Sequence, residues 1–209
     1  MKKKIIIISI VAIALIGIIA YISYLLSFKD ISFVINSDVS EISIYKKENI
    51  NNKKDPKKIS SSQTIKLQTG NYVIVPSGFK ISTDQIPVSI TKNVEININP
   101  NYSNKYLLSV LSGVENTILP ILKEKYPETM NNYKITNGTL FIKGEWYGGL
   151  LENINSDHNS RKDMFRFVAY KENNVWKIIN YPELILTKSV YKTVPMNILN
   201  SINSLTSNY

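Results

Sequence analysis

The sequence predicts three parts in series: an N-terminal transmembrane helix, a small all-β sandwich, and an α+β domain in which a helix packs on a curved antiparallel sheet. Three observations carry this. Residues 5–28, opening on Ile5 and closing on Phe28, contain no charged side chain. Residues 31–99 fall into short β-branched runs, several alternating apolar with polar. Just after Pro100 the period of two gives way to the three-and-four spacing of an amphipathic helix.

The apolar opening is 24 residues long. As a helix it rises about 36 Å, enough for a hydrocarbon layer of about 30 Å. A cleaved signal has an apolar core of only about 7 to 15 residues, so an uncleaved membrane anchor is expected over residues 5–28. Lys2, Lys3 and Lys4 precede it, whereas Lys29 and Asp30 cancel after it. The positive-inside rule then makes residues 1–4 a cytoplasmic tail and puts everything from residue 29 outside, a single-pass protein of the cell membrane. Tyr21, Tyr24 and Phe28 suit an interfacial aromatic belt at the outer end.

With the apolar segment set aside, 209 residues of mean hydropathy −0.08 and 44% hydrophobic content leave material for two small cores. Cysteine is absent, which excludes disulfides, thiolate nucleophiles and thiolate metal sites. The net charge of +9 is spread out. Three lysines lie at the N-terminus, residues 29–100 carry ten Lys against seven acids, and residues 101–209 carry twelve basic against nine acidic side chains. Lys outnumbers Arg by 23 to 2, and with the abundance of Ile and Asn this looks like the codon bias of an AT-rich bacterial genome. Only residues 46–58, KKENINNKKDPKK, concentrate the charge. They read as a solvated hairpin loop, with contact to anionic lipid headgroups or wall polymers as the alternative. Nucleic acid is not an expected partner, because this loop faces away from the cytoplasm and offers no Arg or aromatic side chain for bases.

ISFVIN, EISIYKK, TIKLQ, NYVIVP, PVSITK and VEININ are the expected strands of residues 29–100, an antiparallel sandwich. LQTGNYVIVPSGFK and VSITKNVEININP resemble the PEGA family of extracytoplasmic bacterial modules: Gly70 opens a strand with Tyr72 two residues on, Gly78 and Phe79 form a second glycine–aromatic pair, and the last strand ends near Pro100. The family's Pro-Glu-Gly-Ala-like turn is replaced here by the Lys-rich loop. The resemblance implies a surface spacer or binding module and brings no catalytic residue.

In residues 101–209, Leu107, Leu111, Val114, Ile118 and Leu122 form one stripe of a helix that Ser103 caps and Pro127 stops, with Pro120 expected to kink it or end its regular part. TLFIKGEWYGGLLENI, DMFRFVAYK, NVWKIINY and LILTKSVY read as strands, Asn173 and Asn174 as a tight turn between two of them, and Gly148 with Gly149 as a bend or bulge. The asparagines of TNGT fit a turn. A last helix places Thr193 near its cap, Pro195 at an early helical position, and Val194, Ile198, Ile202 and Leu205 on one face. The order resembles cystatin-like and NTF2-like domains at the level of fold, which host enzymes, ligand binders and interaction modules alike.

Residues 156–163, SDHNSRKD, hold the single histidine, His158. Asp157 and His158 are adjacent, so a strand would point them to opposite faces, and no nucleophile motif accompanies them. The segment reads as an exposed connection, and no catalytic, metal or cofactor residue is expected. Trp146, Tyr147, Tyr170 and Trp176 are the candidate ligand or partner surface, with packing inside the sheet as the alternative. The expected work is binding or scaffolding in the bacterial envelope, with an envelope protein or wall polymer as partner. The alternatives are an anchored hydrolase or isomerase with its site in the C-terminal domain, and a subunit of a secretion or pilus assembly.

Overall fold

In the computed structural model the described residues are 2–52, 55–154 and 164–206, with side chains described from Ile13 onward. The chain divides into two compact units, Met1–Pro100 and Asn101–Tyr209. Among the described residues it is mostly β, with three sheets and four α-helices. The expected series headed by a transmembrane helix is corrected: no helix among the described residues is long and apolar enough to cross a membrane. Side chains of helix α1 (Lys2–Leu26) are described over residues 13–26.

In the first unit, β1 (Phe28–Ile35) follows α1 almost directly. It lies between β4 (Gln63–Gln68), antiparallel to it, and β7 (Val94–Ile98), parallel to it. The parallel pair departs from the all-antiparallel expectation; Ile31↔Val94 through Ile35↔Ile98 is a pairing between sequence-distant strands that hydrophobic alternation does not encode. The second sheet runs β3-β2-β5-β6, all antiparallel, built from β2 (Glu41–Lys46), β3 (Lys57–Ile59), β5 (Gly70–Ser77) and β6 (Ile86–Ile90). Strand β3 comes from the tail of the Lys-rich segment, where a loop was expected; Ile59 buries its side chain there opposite Ile42. Ile31 and Phe33 of one sheet and Ile42, Ile44 and Ile74 of the other supply the buried rows, as period two requires.

The second unit is framed by an antiparallel meander, β11-β10-β9-β8, from β8 (Tyr133–Phe141), β9 (Trp146–Asn153), β10 (Met164–Glu172) and β11 (Val175–Ile178). Helix α2 (Asn104–Lys125) covers one face, burying Ile118 and Leu122 against Tyr147, Leu151, Phe167 and Trp176, and the short α3 (Pro127–Asn132) adds Met130. Helix α4 (Met196–Asn203) covers the other face with Ile198, Leu199 and Ile202, joined by Val168, Leu186 and Val194. Cover on both faces explains why residues 147–151 of β9 are buried in succession instead of alternately.

Ser103 caps α2 by accepting the Tyr106 N–H at 3.2 Å. Asn173 and Asn174, at φ 50° and 63°, make the two-residue turn between β10 and β11. Pro120, however, sits inside an uninterrupted α2, because Ile118 and Leu122 on either side of it are locked into the core. Gly148 and Gly149 keep regular register; the irregularity falls in β8, between Ile135 and Asn137, so TNGT is strand and not turn. LILTKSVY forms no strand, only one bridge beside it between Glu183 and Arg166. Pro195, expected early within the helix, is instead the cap residue of α4, two positions after Thr193, and no side chain bonds there.

Candidate functional site

The four aromatic residues singled out from the sequence do not line one surface. Trp146 and Tyr147 are neighbours on β9, so their side chains leave the sheet on opposite faces. Tyr147 and Trp176 belong to the core under α2, at 0% and 6% exposure. Half-buried Trp146 packs against the α4 core and pairs across strands with Tyr170, ring centroids 5.7 Å apart. Three of the four thus serve the two cores.

Under α2 two ionisable side chains meet. Tyr147 donates from its hydroxyl to Glu115 Oε1 at 3.0 Å. Burial, reinforced by the Glu115 charge and that hydrogen bond, pushes the phenol well above its ordinary value of 10.0, so it stays protonated as a donor. Glycines make room for this arrangement. A Cβ on Gly138 would stand 2.2 Å from the Tyr147 hydroxyl, one on Gly149 2.3 Å from the Phe167 ring, and one on Gly148 2.2 Å from Ile202. These close approaches are the reason for the pair that a sequence reading takes as a bend. The sequence reading missed Glu115 because it lies off the apolar stripe of α2.

Beside this core, Asn104, Leu107, Leu108 and Leu111 of α2 and Thr139 and Leu140 of β8 line an open groove of about 250 Å³. Leu108 is 69% exposed at its rim. Such a groove suits an apolar side chain or a small apolar ligand.

The first unit has two larger clefts with charged residues in their lining. One of about 470 Å³ is lined by Lys46, Lys47 and Glu48 on one side and by Thr69, Gly70, Asn71 and Tyr72 on the other. The second, about 420 Å³, shares Lys46, Glu48 and Tyr72 and reaches Phe28, Lys57 and Lys66. Strand pairing places Lys46 opposite Tyr72. Lys46 continues the row of Ile42 and Ile44, so a cation stands at the end of the core-facing side of β2. The alternation of EISIYK carries that register. The Tyr72 hydroxyl donates to the Gln68 carbonyl at 2.9 Å, and its burial raises its pKa, with Glu48 adding to the shift.

Both clefts lie at the α1 end of the unit. Phe28 pairs with Gln68, and the Thr69 N–H donates to the Ser27 carbonyl at 2.7 Å. Lys29 reaches back from β1 to donate to the Leu26 carbonyl at 2.8 Å, capping α1. Ile5, the other bound of the expected anchor, has no described side chain. Residues 156–163, with His158, lie outside the described residues. No group of three His, Cys, Asp or Glu side chains that could hold a metal ion occurs among the described residues.

No protein-family model matches the chain, and no curated protein does. A solved structure of a DUF3823 family protein from Bacteroides ovatus is similar at a TM-score of 0.29 and 10% identity, over 74% of this chain and 96% of that one. A likeness of that degree carries no argument about function.

Proposed function

We propose that this chain is a membrane-attached protein of the bacterial envelope with a binding or scaffolding role. The observation that carries the reading is the surface of α1. Ile13, Ile16, Ile19 and Leu26 are each at least 63% exposed, and Leu15, Ile18, Ile22 and Leu25 about half exposed. At 100° per residue these positions go right round the helix, so no rotation of α1 against the sheets would bury them all. An apolar surface of this kind needs an apolar partner, and the lipid of a membrane is the partner this reading assigns to it. The first unit is then the part held at the headgroups. In it Gly70 and Gly78 have to be glycine: φ at Gly70 is 152°, and a Cβ on Gly78 would stand 2.4 Å from the Asp38 carbonyl. The α2–β8 groove of the second unit is the surface offered to a partner.

Expression of the full chain in a bacterial host and alkaline extraction of its membranes tests the attachment. The chain should stay in the pellet, and the double variant Ile16→Lys, Ile19→Lys should be released, since each lysine costs about 2.5 to 3.5 kcal/mol within a bilayer. Recovery of the unaltered chain in the soluble fraction would overturn attachment. Protease added to intact spheroplasts should digest both units; their protection would overturn the envelope assignment.

A further inference from the structure

We infer that the cleft between Lys46, Lys47 and the β4–β5 turn binds the phosphodiester of an anionic lipid headgroup. The inference rests on the membrane attachment proposed above and adds a ligand class and a site to it. Position is the first argument. The wall of the cleft formed by Thr69 and Gly70 is tied to Ser27, the residue between α1 and β1, so the cleft opens where the apolar surface of α1 gives way to the polar strands. A helix buried in lipid up to that point holds the cleft at headgroup level.

Charge is the second argument. Lys58, Lys66, Lys80 and Lys177 each have a carboxylate partner, whereas Lys46 and Lys47 have no ion pair among the described residues. Both are exposed, and Glu48 is the single acid in the cleft's lining. Two ammonium groups against one carboxylate leave one positive charge, which matches the one negative charge of a phosphodiester and offers several N–H donors to its oxygens. The third argument is register. Lys46 continues the core-facing row of Ile42 and Ile44 at the end of β2, and it also lines the neighbouring cleft together with Ile44 and Phe28, so its methylene stem starts from the apolar side of the strand while its ammonium is exposed. That is the geometry of a lysine at a membrane interface.

The test uses the full chain and vesicles of phosphatidylcholine, with or without phosphatidylglycerol, and reads partitioning by sedimentation. The unaltered chain should prefer the phosphatidylglycerol vesicles, and each of Lys46→Gln and Lys47→Gln should lower that preference about fivefold, the value of one interfacial lysine. Lys46→Arg with Lys47→Arg should retain it, and Lys80→Gln, just beyond the end of β5 opposite to Gly70, should change it little. Equal losses at Lys80 and Lys47 would reduce the effect to diffuse net charge and overturn the site. Full competition by soluble glycerol phosphate would make the ligand a free phosphate ester and overturn the lipid source. A chain that binds both vesicle types equally refutes the cleft while leaving attachment intact, and one that binds neither refutes attachment itself.

Discussion

Tyr147 joins the core under α2 to a carboxylate partner. It is fully buried, donates to Glu115, lies 5.6 Å from the Phe167 ring, and depends on the missing Cβ of Gly138. Its raised pKa makes stability depend on alkaline pH in one direction. The unfolded chain ionises the phenol near 10.0 while the folded chain holds the proton, so between those two values the unfolded state binds fewer protons. The stabilisation is complete below pH 10 and is lost as pH rises above it, with a slope of at most about 1.4 kcal/mol per pH unit from this group. Tyr147→Phe should remove that part of the slope and, by leaving the Glu115 carboxylate without its donor, cost about 1 to 3 kcal/mol at neutral pH. Urea unfolding at pH 7 and at pH 11 measures both; an unchanged slope in the variant would show that other groups set the alkaline limit.

The segment between β11 and the end of α4 shows how a sheet face is covered without another strand. Arg166 donates from Nε to the Ile202 carbonyl, from Nη1 to Leu184 and from Nη2 to Leu205, at 3.1, 2.6 and 3.0 Å. Asn180, almost wholly buried, accepts the Val168 N–H and donates to the Arg166 and Tyr181 carbonyls. Asn203 bonds both the N–H and the carbonyl of Leu186. Side chains here satisfy backbone groups that a ladder would otherwise pair. Arg166→Met keeps much of the stem and removes the donors. It should destabilise the unit by about 2 to 4 kcal/mol, since hydrogen bonds from charged groups are worth about 1.5 to 3 kcal/mol, and it should accelerate amide exchange over residues 184–205 ahead of β9. Uniform acceleration across the unit would mean that the clamp holds nothing locally.

These contacts also explain what the sequence does and does not disclose. The α2 stripe, the Ser103 cap and the Asn173–Asn174 turn are local patterns, set by residues within a few positions of one another, and they read directly. LILTKSVY has strand composition but takes its partners from Arg166 and Asn203, which no period reveals. Gly148 and Gly149 resemble a bend until Ile202 and Phe167 arrive from distant parts of the chain. Trp146 and Tyr147 look like one aromatic surface until strand alternation divides them between two cores. In the first unit, the Lys46 register was legible in the alternation of EISIYK, while the cleft around it required the pairing of β2 with β5.

The two tryptophans give a means of separating the units in solution. Both Trp146 and Trp176 lie in Asn101–Tyr209, so their fluorescence reports on that unit, whereas far-ultraviolet circular dichroism reports on the strands of both. Phe33, 1% exposed, is a core residue of the first unit; Trp176, 6% exposed, is one of the second. If each unit has a self-sufficient core, Phe33→Ala should cost about 3 to 5 kcal/mol through lost burial and the cavity left behind, and all of it should fall on the first unit. The dichroism transition in urea should then broaden or split while the fluorescence midpoint stays in place. Trp176→Ala, of similar cost, should act in the converse way: the remaining Trp146 signal should move to lower urea, leaving a dichroism component at the original midpoint. The full chain in detergent is the sample, so that α1 stays covered in every variant. A fluorescence midpoint that follows Phe33→Ala would show the two cores unfolding as one and would refute the division at Pro100 and Asn101 as a thermodynamic boundary.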